Sequence, residues 1–455
     1  MSYLPKISCA LVTGAVYISA AAMGAPPNIL LMVADDLGYA DLSCYGNDRV
    51  ATPNIDRLAD EGIRLTRFYA ASGVCTPTRA SFLTGQDPAR FNIKNVFKDE
   101  GEYLPAGNTL PQILKSAGYT TALLGKWHLG GLRLKDRDQR DVVSGPHQHG
   151  YDHYLCQIEE QPLRGGYFRR GDLYSRGGTC LIENEQTLPE SHSYYPLFFT
   201  DIMGEETLRL LNRYKVEPQP FFIHVNFQVP HKPLERAPEP HWRATAREGL
   251  SENQHRIRSM IACMDSQVGR IQDALQQNGQ AENTIVIFTS DNGGLDDLSN
   301  NGGYRGGKFS LFEGGIRVPF IARWPEHIQA GTVSEAPLHS NDILPTLCEV
   351  GDISPPVDID GTSMLSVLKG SSTQPGRPLF FQLGFSRESS LTEAVIQGPW
   401  KLMAEHGTPR MLFNLNNDPF EETNVMDKYP DKAEALRQHL FRWLNRPRTS
   451  VPVAL

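Results

Sequence analysis

Val74-Cys75-Thr76-Pro77-Thr78-Arg79-Ala80-Ser81-Phe82-Leu83-Thr84-Gly85 places a cysteine, a proline and an arginine in the pattern C-x-P-x-R, just ahead of a short apolar run. Read locally, it is a helix start. Thr76 is placed to cap, Pro77 suits the first helical position, and Ala80, Phe82 and Leu83 point inward. That reading leaves Cys75 exposed at a helix N-terminus beside Arg79, where backbone N–H groups and a guanidinium favour an anion. A cysteine so placed is a low-pKa nucleophile or something derived from one. The competing reading is a small thiol buried at a helix start. The rest of the chain has to decide between them.

Outward from that stretch, continuous apolar runs mark strands buried on both faces. Asn28 to Ala34 is one, ending in Asp35-Asp36. Thr120 to Gly125 is a second, delivering Lys126-Trp127-His128. Lys126 and His128 share a side if the extended geometry persists. Pro220 to Phe227 is a third, followed by Gln228-Val229-Pro230-His231-Lys232-Pro233. Thr284 to Thr289 is a fourth, ending in Ser290-Asp291-Asn292-Gly293-Gly294. In open α/β sheets, ligands bind at the carboxyl ends of the strands. If these four strands are parallel neighbours, their polar tips and Cys75–Arg79 meet in one place. A glycine-rich segment, 302–315, adds Lys308.

The chemistry of the tips divides in two. Asp35, Asp36, Asp291 and Asn292 offer oxygen ligands and suit a hard cation, Ca²⁺ or Mg²⁺, rather than zinc. Arg79, Lys126, His128, His231 and Lys308 are cationic or proton-donating and would hold a multiply oxygenated anion such as sulfate or phosphate.

Further elements frame this core. Helices are expected at Pro53–Glu61, Leu110–Ala117, Phe198–Tyr214 and Asn341–Val350. A 3-4 spaced stripe from Ile257 to Leu275 marks a long helix with a core-facing side. Strands are expected at Ile63–Tyr69 and Val318–Arg323. Leu132–Pro196 has weak periodicity and reads as long loops over the sheet, with His147, His149, Arg164, Arg169 and Arg170 as candidate recognition residues. Beyond Gly370, four short strands and a closing helix, Ala433–Leu444, read as a small antiparallel α+β unit.

The chain has 455 residues, 40% hydrophobic and 21% charged, and a net charge of −8, which excludes a disordered chain and argues against nucleic acid as a partner. Residues 1–25 read as a cleaved signal peptide, with Lys6 ahead of an apolar run that closes on small residues. The expectation is therefore an exported protein, periplasmic or secreted, with no membrane span once the signal is removed. Residues 26–370 form a catalytic domain and 371–455 a C-terminal subdomain. Of the seven cysteines, Cys156 and Cys180 are the nearest candidates for a disulfide.

Together, Cys75-Thr76-Pro77-Thr78-Arg79 with Leu83-Thr84-Gly85, Gly125-Lys126-Trp127-His128-Leu129-Gly130, Asp291-Asn292-Gly293-Gly294, and Gly307-Lys308 with Glu313-Gly314-Gly315 resemble the type I, arylsulfatase-like sulfatases of the alkaline phosphatase superfamily. The resemblance covers most of the mature chain. It implies an α/β fold with a large, mostly parallel sheet between helices. It also implies that a maturation enzyme oxidises Cys75 to formylglycine. The hydrate of that group would attack the sulfur of a sulfate ester, release the alcohol, then expel sulfate and restore the aldehyde. By the same resemblance, Asp35, Asp36, Asp291, Asn292 and the modified Cys75 hold calcium, in preference to magnesium. Arg79 and Lys126 stabilise the formylglycine, and His128 assists elimination. His231 and Lys308 hold the sulfate and protonate the leaving oxygen. The substrate expected is a sulfated carbohydrate. The alternatives are a phosphonate monoester or phosphodiester hydrolase on the same fold, and a non-catalytic protein that binds sulfated glycans.

Overall fold

The structure is a computed structural model that describes residues 25–97, 102–134, 140–157, 181–189, 191–194, 197–295, 297–371, 376–387 and 389–448. The signal-peptide reading, Cys180, Arg164, Arg169 and Arg170 lie outside these residues, except for the last position of the signal. Cys156 is buried.

The four apolar runs form the centre of one large sheet. Its strands are β1 (Asn28–Asp35), β2 (Ile63–Tyr69), β3 (Thr120–Lys126), β4 (His153–Gln157), β5 (Ile182–Glu183), β6 (Gln186–Thr187), β7 (Phe221–Pro230), β8 (Thr284–Ser290), β9 (Arg317–Arg323), β10 (Thr332–Ser334) and β11 (Leu338–His339). The order is β10-β2-β9-β8-β1-β7-β3-β4-β5-β6, with β11 also on β2. The stretch β8-β1-β7-β3-β4 is parallel throughout. Every residue of β7 and β8 is buried, as a parallel strand covered on both faces requires. The strand β9 runs antiparallel to both β8 and β2, so the sheet is mixed, and mostly parallel.

Helices α1 (Pro53–Asp60), α4 (Phe199–Tyr214) and α5 (Glu252–Gln277) pack together as one group. Helices α2 (Cys75–Thr84), α3 (Leu110–Ser116) and α6 (Ile343–Val350) pack as another. The stripe on α5 is core: Ile257, Met260, Ile261, Met264, Val268, Ile271 and Leu275 are all buried.

The reading of Leu132–Pro196 as loops alone is corrected. His153–Gln157 is a strand of the main sheet, beside β3. Its short length and its histidine, cysteine and glutamine hid the signal. Glu206 of α4 ties this edge down. It meets His153 Nε2 at 3.0 Å and accepts hydrogen bonds from Tyr194 Oη and Arg209 Nε, both at 2.9 Å. Burial alone would push the Glu206 carboxyl up, but Arg209, His153 and Tyr194 outweigh it and hold it down at about 2, against 4.5 when free. A depressed carboxyl adds stability above its unfolded value and loses it as pH falls toward the folded one. This group therefore contributes up to about 3 kcal/mol at neutral pH. Between about pH 5 and pH 3, the urea midpoint of Glu206→Gln should fall less steeply than that of the parent; equal slopes would refute this account.

The C-terminal sheet is β12 (Leu379–Gln382), β13 (Glu393–Gln397), β14 (Trp400–Glu405) and β15 (Thr408–Asn414), antiparallel throughout. Its side chains alternate as the pleat requires. Phe381, Ala394, Ile396, Met403 and Phe413 pack on Tyr69, Val74, Phe312 and Ile316 of the main body. Val395, Leu402 and Leu412 pack under the closing helix α7 (Pro430–Leu444).

Candidate active site

Helix α2 begins at Cys75 itself, with Val74 as the cap residue and no side-chain capping bond. Pro77 is therefore the third helical residue, which is tolerated because the first-turn N–H groups have no intrahelical acceptor. Thr76 does not cap; its Oγ1 donates to His128 O at 3.1 Å. The exposed, low-pKa reading of Cys75 is also corrected. The residue is fully buried, and burial pushes its thiol up to about 12 despite Lys126 and Lys308 nearby. As a thiol it is un-ionised at neutral pH and a poor nucleophile.

The parallel order β8-β1-β7-β3 brings the polar tips together around this residue. Lys126 Nζ lies 2.8 Å from Asp35 Oδ2. Lys308 Nζ lies 2.9 Å from Asp36 Oδ1. Arg79 bonds Asp291 Oδ2 through Nε at 2.9 Å and NH2 at 2.7 Å. Asn292 Nδ2 donates to Asp36 Oδ1 at 2.8 Å, and His231 Nε2 lies 3.7 Å from Asp36 Oδ2. Asp35, Asp36, Cys75 and His231 offer ligand atoms that all lie within 4.8 Å of one another. Lys126 and His128 do not share an extended strand: the chain turns at His128 (φ 54°). His128 still feels the charges of Lys126, Arg79, Asp35 and His231. Asp36 is also left-handed (φ 63°). Such conformations cost of order 1–3 kcal/mol each and cluster at functional sites.

Electrostatics sort the groups. Burial would raise Asp35, but Lys126, His231, Arg79 and Lys308 outweigh it and hold the carboxyl well below the usual range. Asp291 is pushed up to about 7 by burial and by Asp35, against Arg79 and Lys126. Carboxylates hold Lys126 and Lys308 above the ordinary lysine value although both are buried. Burial, then Lys126 and Arg79, drives His128 well down, so its imidazole is neutral. Burial also lowers His231, with Asp35 and Asp36 opposing. Three carboxylates thus face three fixed cations. A divalent cation would also favour ionised Asp291, and with all three carboxylates ionised it would leave that balance positive by two, which suits a monoanionic ester together with one deprotonated hydroxyl. The donor set fits a hard cation on a second count. Asp35 Oδ1 and Asn292 Oδ1 are buried without a hydrogen-bond partner, a costly state for oxygens that bind nothing.

Two close backbone approaches fix the loops. A Cβ on Gly293 would lie 1.9 Å from Gly314 O, and one on Gly73 would lie 2.3 Å from Ser310 O. Glycine alone lets the Asp291–Asn292 turn and the Cys75 segment reach the loop that carries Lys308.

The sulfatase family model matches residues 27–353. The chain belongs to the sulfatase family. A second model, N-sulphoglucosamine sulphohydrolase, C-terminal, matches residues 304–449. Among curated relatives, Arylsulfatase H of Homo sapiens is 33% identical over 434 residues, covering 78% of this sulfatase and 75% of the relative. N-acetylgalactosamine-6-sulfatase of Canis lupus familiaris is 32% identical over 399 residues, covering 82% and 72%. The solved structure of Ps i-CgsB in complex with k-i-k-neocarrahexaose superposes with a TM-score of 0.82 at 26% identity, covering 94% of this chain and 95% of that one. The fold is thus that of the alkaline phosphatase-like sulfatases, and the chain is a sulfuric ester hydrolase.

Some supporting residues of this sulfatase were not singled out from sequence. Asn226 Nδ2 donates to Lys126 O at 2.9 Å, and Ser290 Oγ accepts from Leu37 N at 3.1 Å. Asn226 is one of three buried polar residues inside β7, with His224 and Gln228, and nothing local sets it apart from them. Among the candidate recognition residues, His149 is buried against Trp127 and meets Ser144 Oγ at 3.0 Å. His147 meets Glu185 at 3.2 Å. No helix among the described residues is long and apolar enough to cross a membrane.

Proposed function

We propose that this protein hydrolyses sulfate esters on a sulfated carbohydrate, through formylglycine derived from Cys75 and with a bound calcium ion. The observation that carries the reading is the convergence of three carboxylates, three fixed cations and two histidines on one buried thiol. Asp35, Asp36, Asp291, Asn292 and the modified residue 75 would hold the cation; magnesium demands a stricter octahedron than this mixed set suggests. Formylglycine hydrate would supply a nucleophilic hydroxyl, and a cation held by these residues would supply Lewis acidity to activate it.

The chain's own side chains do the rest. Arg79 and Lys126 place positive charge beside residue 75 and stabilise its ionised hydroxyl. Lys308, kept charged by Asp36, holds a sulfate oxygen. His231 is kept neutral by burial, and a bound anion beside it opposes that effect, so it and Lys308 are the proton donors for the leaving oxygen. Neutral His128 is free to take the proton from the second hydroxyl during elimination. The maturation enzyme, export through residues 1–25 to the periplasm or exterior, and division at residue 370 belong to the same proposal.

Mature protein should cleave p-nitrophenyl sulfate far faster than p-nitrophenyl phosphate. A calcium chelator should abolish that turnover and added calcium restore it; Asp291→Asn should lower it by at least about 10²-fold. A phosphate preference favours the phosphonate and phosphodiester alternative. Full turnover in metal-free protein would remove the metal assignment.

A further inference from the structure

The segment that delivers Lys308 continues into an unusual surface. Phe309 has a left-handed backbone (φ 71°), a conformation that costs a bulky side chain about 1–3 kcal/mol. It is held from both sides. Its N–H donates to Gly73 O at 2.8 Å, two residues ahead of Cys75, and its carbonyl accepts from Arg387 N at 3.2 Å. Lys308 Nζ lies 5.5 Å from the centre of the Phe309 ring. Phe385 stacks on that ring at 5.4 Å, with 25° between the planes. The guanidinium carbon of Arg387 lies 4.1 Å from the ring centre. Phe385 is 46% exposed and Arg387 is exposed. Among the described residues, no carboxylate pairs with the Arg387 guanidinium.

A strained, doubly anchored phenylalanine therefore links the sulfate-holding lysine to an open aromatic face and an arginine that pairs with no carboxylate among the described residues. An aromatic face offers apolar contact to the C–H side of a sugar ring, and a guanidinium forks onto a planar or tetrahedral oxyanion. Resting on the sulfatase reading above, we infer that Phe309, Phe385 and Arg387 form a carbohydrate subsite beside the Lys308 pocket. It takes the sugar next to the one being desulfated, and Arg387 binds a second sulfate carried by that sugar. The preferred substrate is then a multiply sulfated oligosaccharide rather than a monosulfated sugar. Phe309 comes from the loop that carries Lys308, and Phe385 and Arg387 from the connection between β12 and β13, so the subsite exists only where the two meet.

The test measures binding to full-length Cys75→Ala protein, which cannot turn substrate over, by calorimetry with carrageenan-derived and heparin-derived hexasaccharides and their desulfated counterparts. Phe385→Ala and Arg387→Ala, both on exposed side chains, should each weaken binding of the better sulfated ligand about tenfold. Arg387→Lys should recover part of that loss, and the desulfated ligand should be indifferent to Arg387→Ala. In otherwise native protein, the same substitutions should raise KM for the sulfated hexasaccharide and leave kcat/KM for p-nitrophenyl sulfate unchanged. The subsite is overturned if neither sulfated hexasaccharide binds, if both variants bind within about twofold of the parent, or if aryl sulfate turnover falls equally. Turnover of p-nitrophenyl sulfate by the unsubstituted protein tests the sulfatase reading separately.

Discussion

Cys75→Ala lowers turnover of p-nitrophenyl sulfate by at least about 10⁴-fold, while the protein folds as its parent does. The size of the loss follows from what remains. Arg79, Lys126, His128, His231 and Lys308 still surround the ester, but nothing else in the cluster can attack sulfur. The carboxylates are tied to cations, and both imidazoles are placed to move protons rather than to bond sulfur. The substitution removes the aldehyde oxygen of the mature residue, or the sulfur of the unmodified one, from a buried position, a cavity cost of about 1 kcal/mol that a chain of this size tolerates. The loss is therefore chemical rather than structural, and near-identical urea midpoints for the two proteins check that. Intact mass of the active parent should show an aldehyde at position 75. The un-ionised thiol there, pushed up to about 12 by burial, has too little thiolate at neutral pH to do the work itself. Substantial turnover by the alanine variant would end every nucleophilic account of this site.

Lys401→Met destabilises the junction between the two sheets by about 3–5 kcal/mol. Lys401 is fully buried. On β14 it shares a face with Met403, directed into the main body. Its Nζ lies 3.0 Å from Glu313 Oε1 and 2.8 Å from Glu421 Oε1. Glu421 accepts from Glu313 N at 2.6 Å, and Tyr69 Oη donates to Glu313 at 3.0 Å. Burial, opposed by Lys401 and joined by Glu313, pushes Glu421 up to about 7. Methionine fills the stem's volume but leaves Glu421 facing Glu313 with only Arg317, 3.4 Å from Glu313 Oε2, to offset the two carboxylates. A second substitution, Glu421→Gln, removes one of those charges and keeps an acceptor for Glu313 N. The double variant should therefore regain part of the loss. Tryptophans lie in both units, Trp400 and Trp443 in the C-terminal one, so the fluorescence-detected urea midpoint reads the effect. An unmoved midpoint in Lys401→Met would mean that the ion triad contributes nothing. Because the Glu313 turn packs on Gly293 and on the Lys308 loop, the same variant should also lose turnover.

Much of the site was legible because parallel strands covered on both faces can carry little but apolar residues along their length. Polar groups then gather mostly at the strand ends, and Asp35–Asp36, Lys126, His231 and Asp291–Asn292 stood out against β1, β3, β7 and β8, although β7 also carries His224, Asn226 and Gln228 inside. The C-terminal unit was legible for a related reason: short apolar runs separated by turns. The strand at His153–Gln157 was not, since its two histidine and glutamine ends are polar and its signal is only five residues long. The state of Cys75 was misread as exposed because helix position says nothing of what covers the helix end.

The sequence by itself determined the four central buried strands, which residues sit at their tips, and hence the class of chemistry and the family. The periodicity of a chain encodes which face of each element is apolar. It does not encode which neighbour covers that face. Only the tertiary structure decided that β8, β1, β7 and β3 lie side by side in that order and that β9 runs against them. The same holds for Lys401 between Glu313 and Glu421, and for Phe385 and Arg387 beside Phe309. These contacts join residues far apart in the chain, so no local pattern carries them; a buried charge such as Lys401 persists only where the packing of the two sheets brings carboxylates to offset its desolvation.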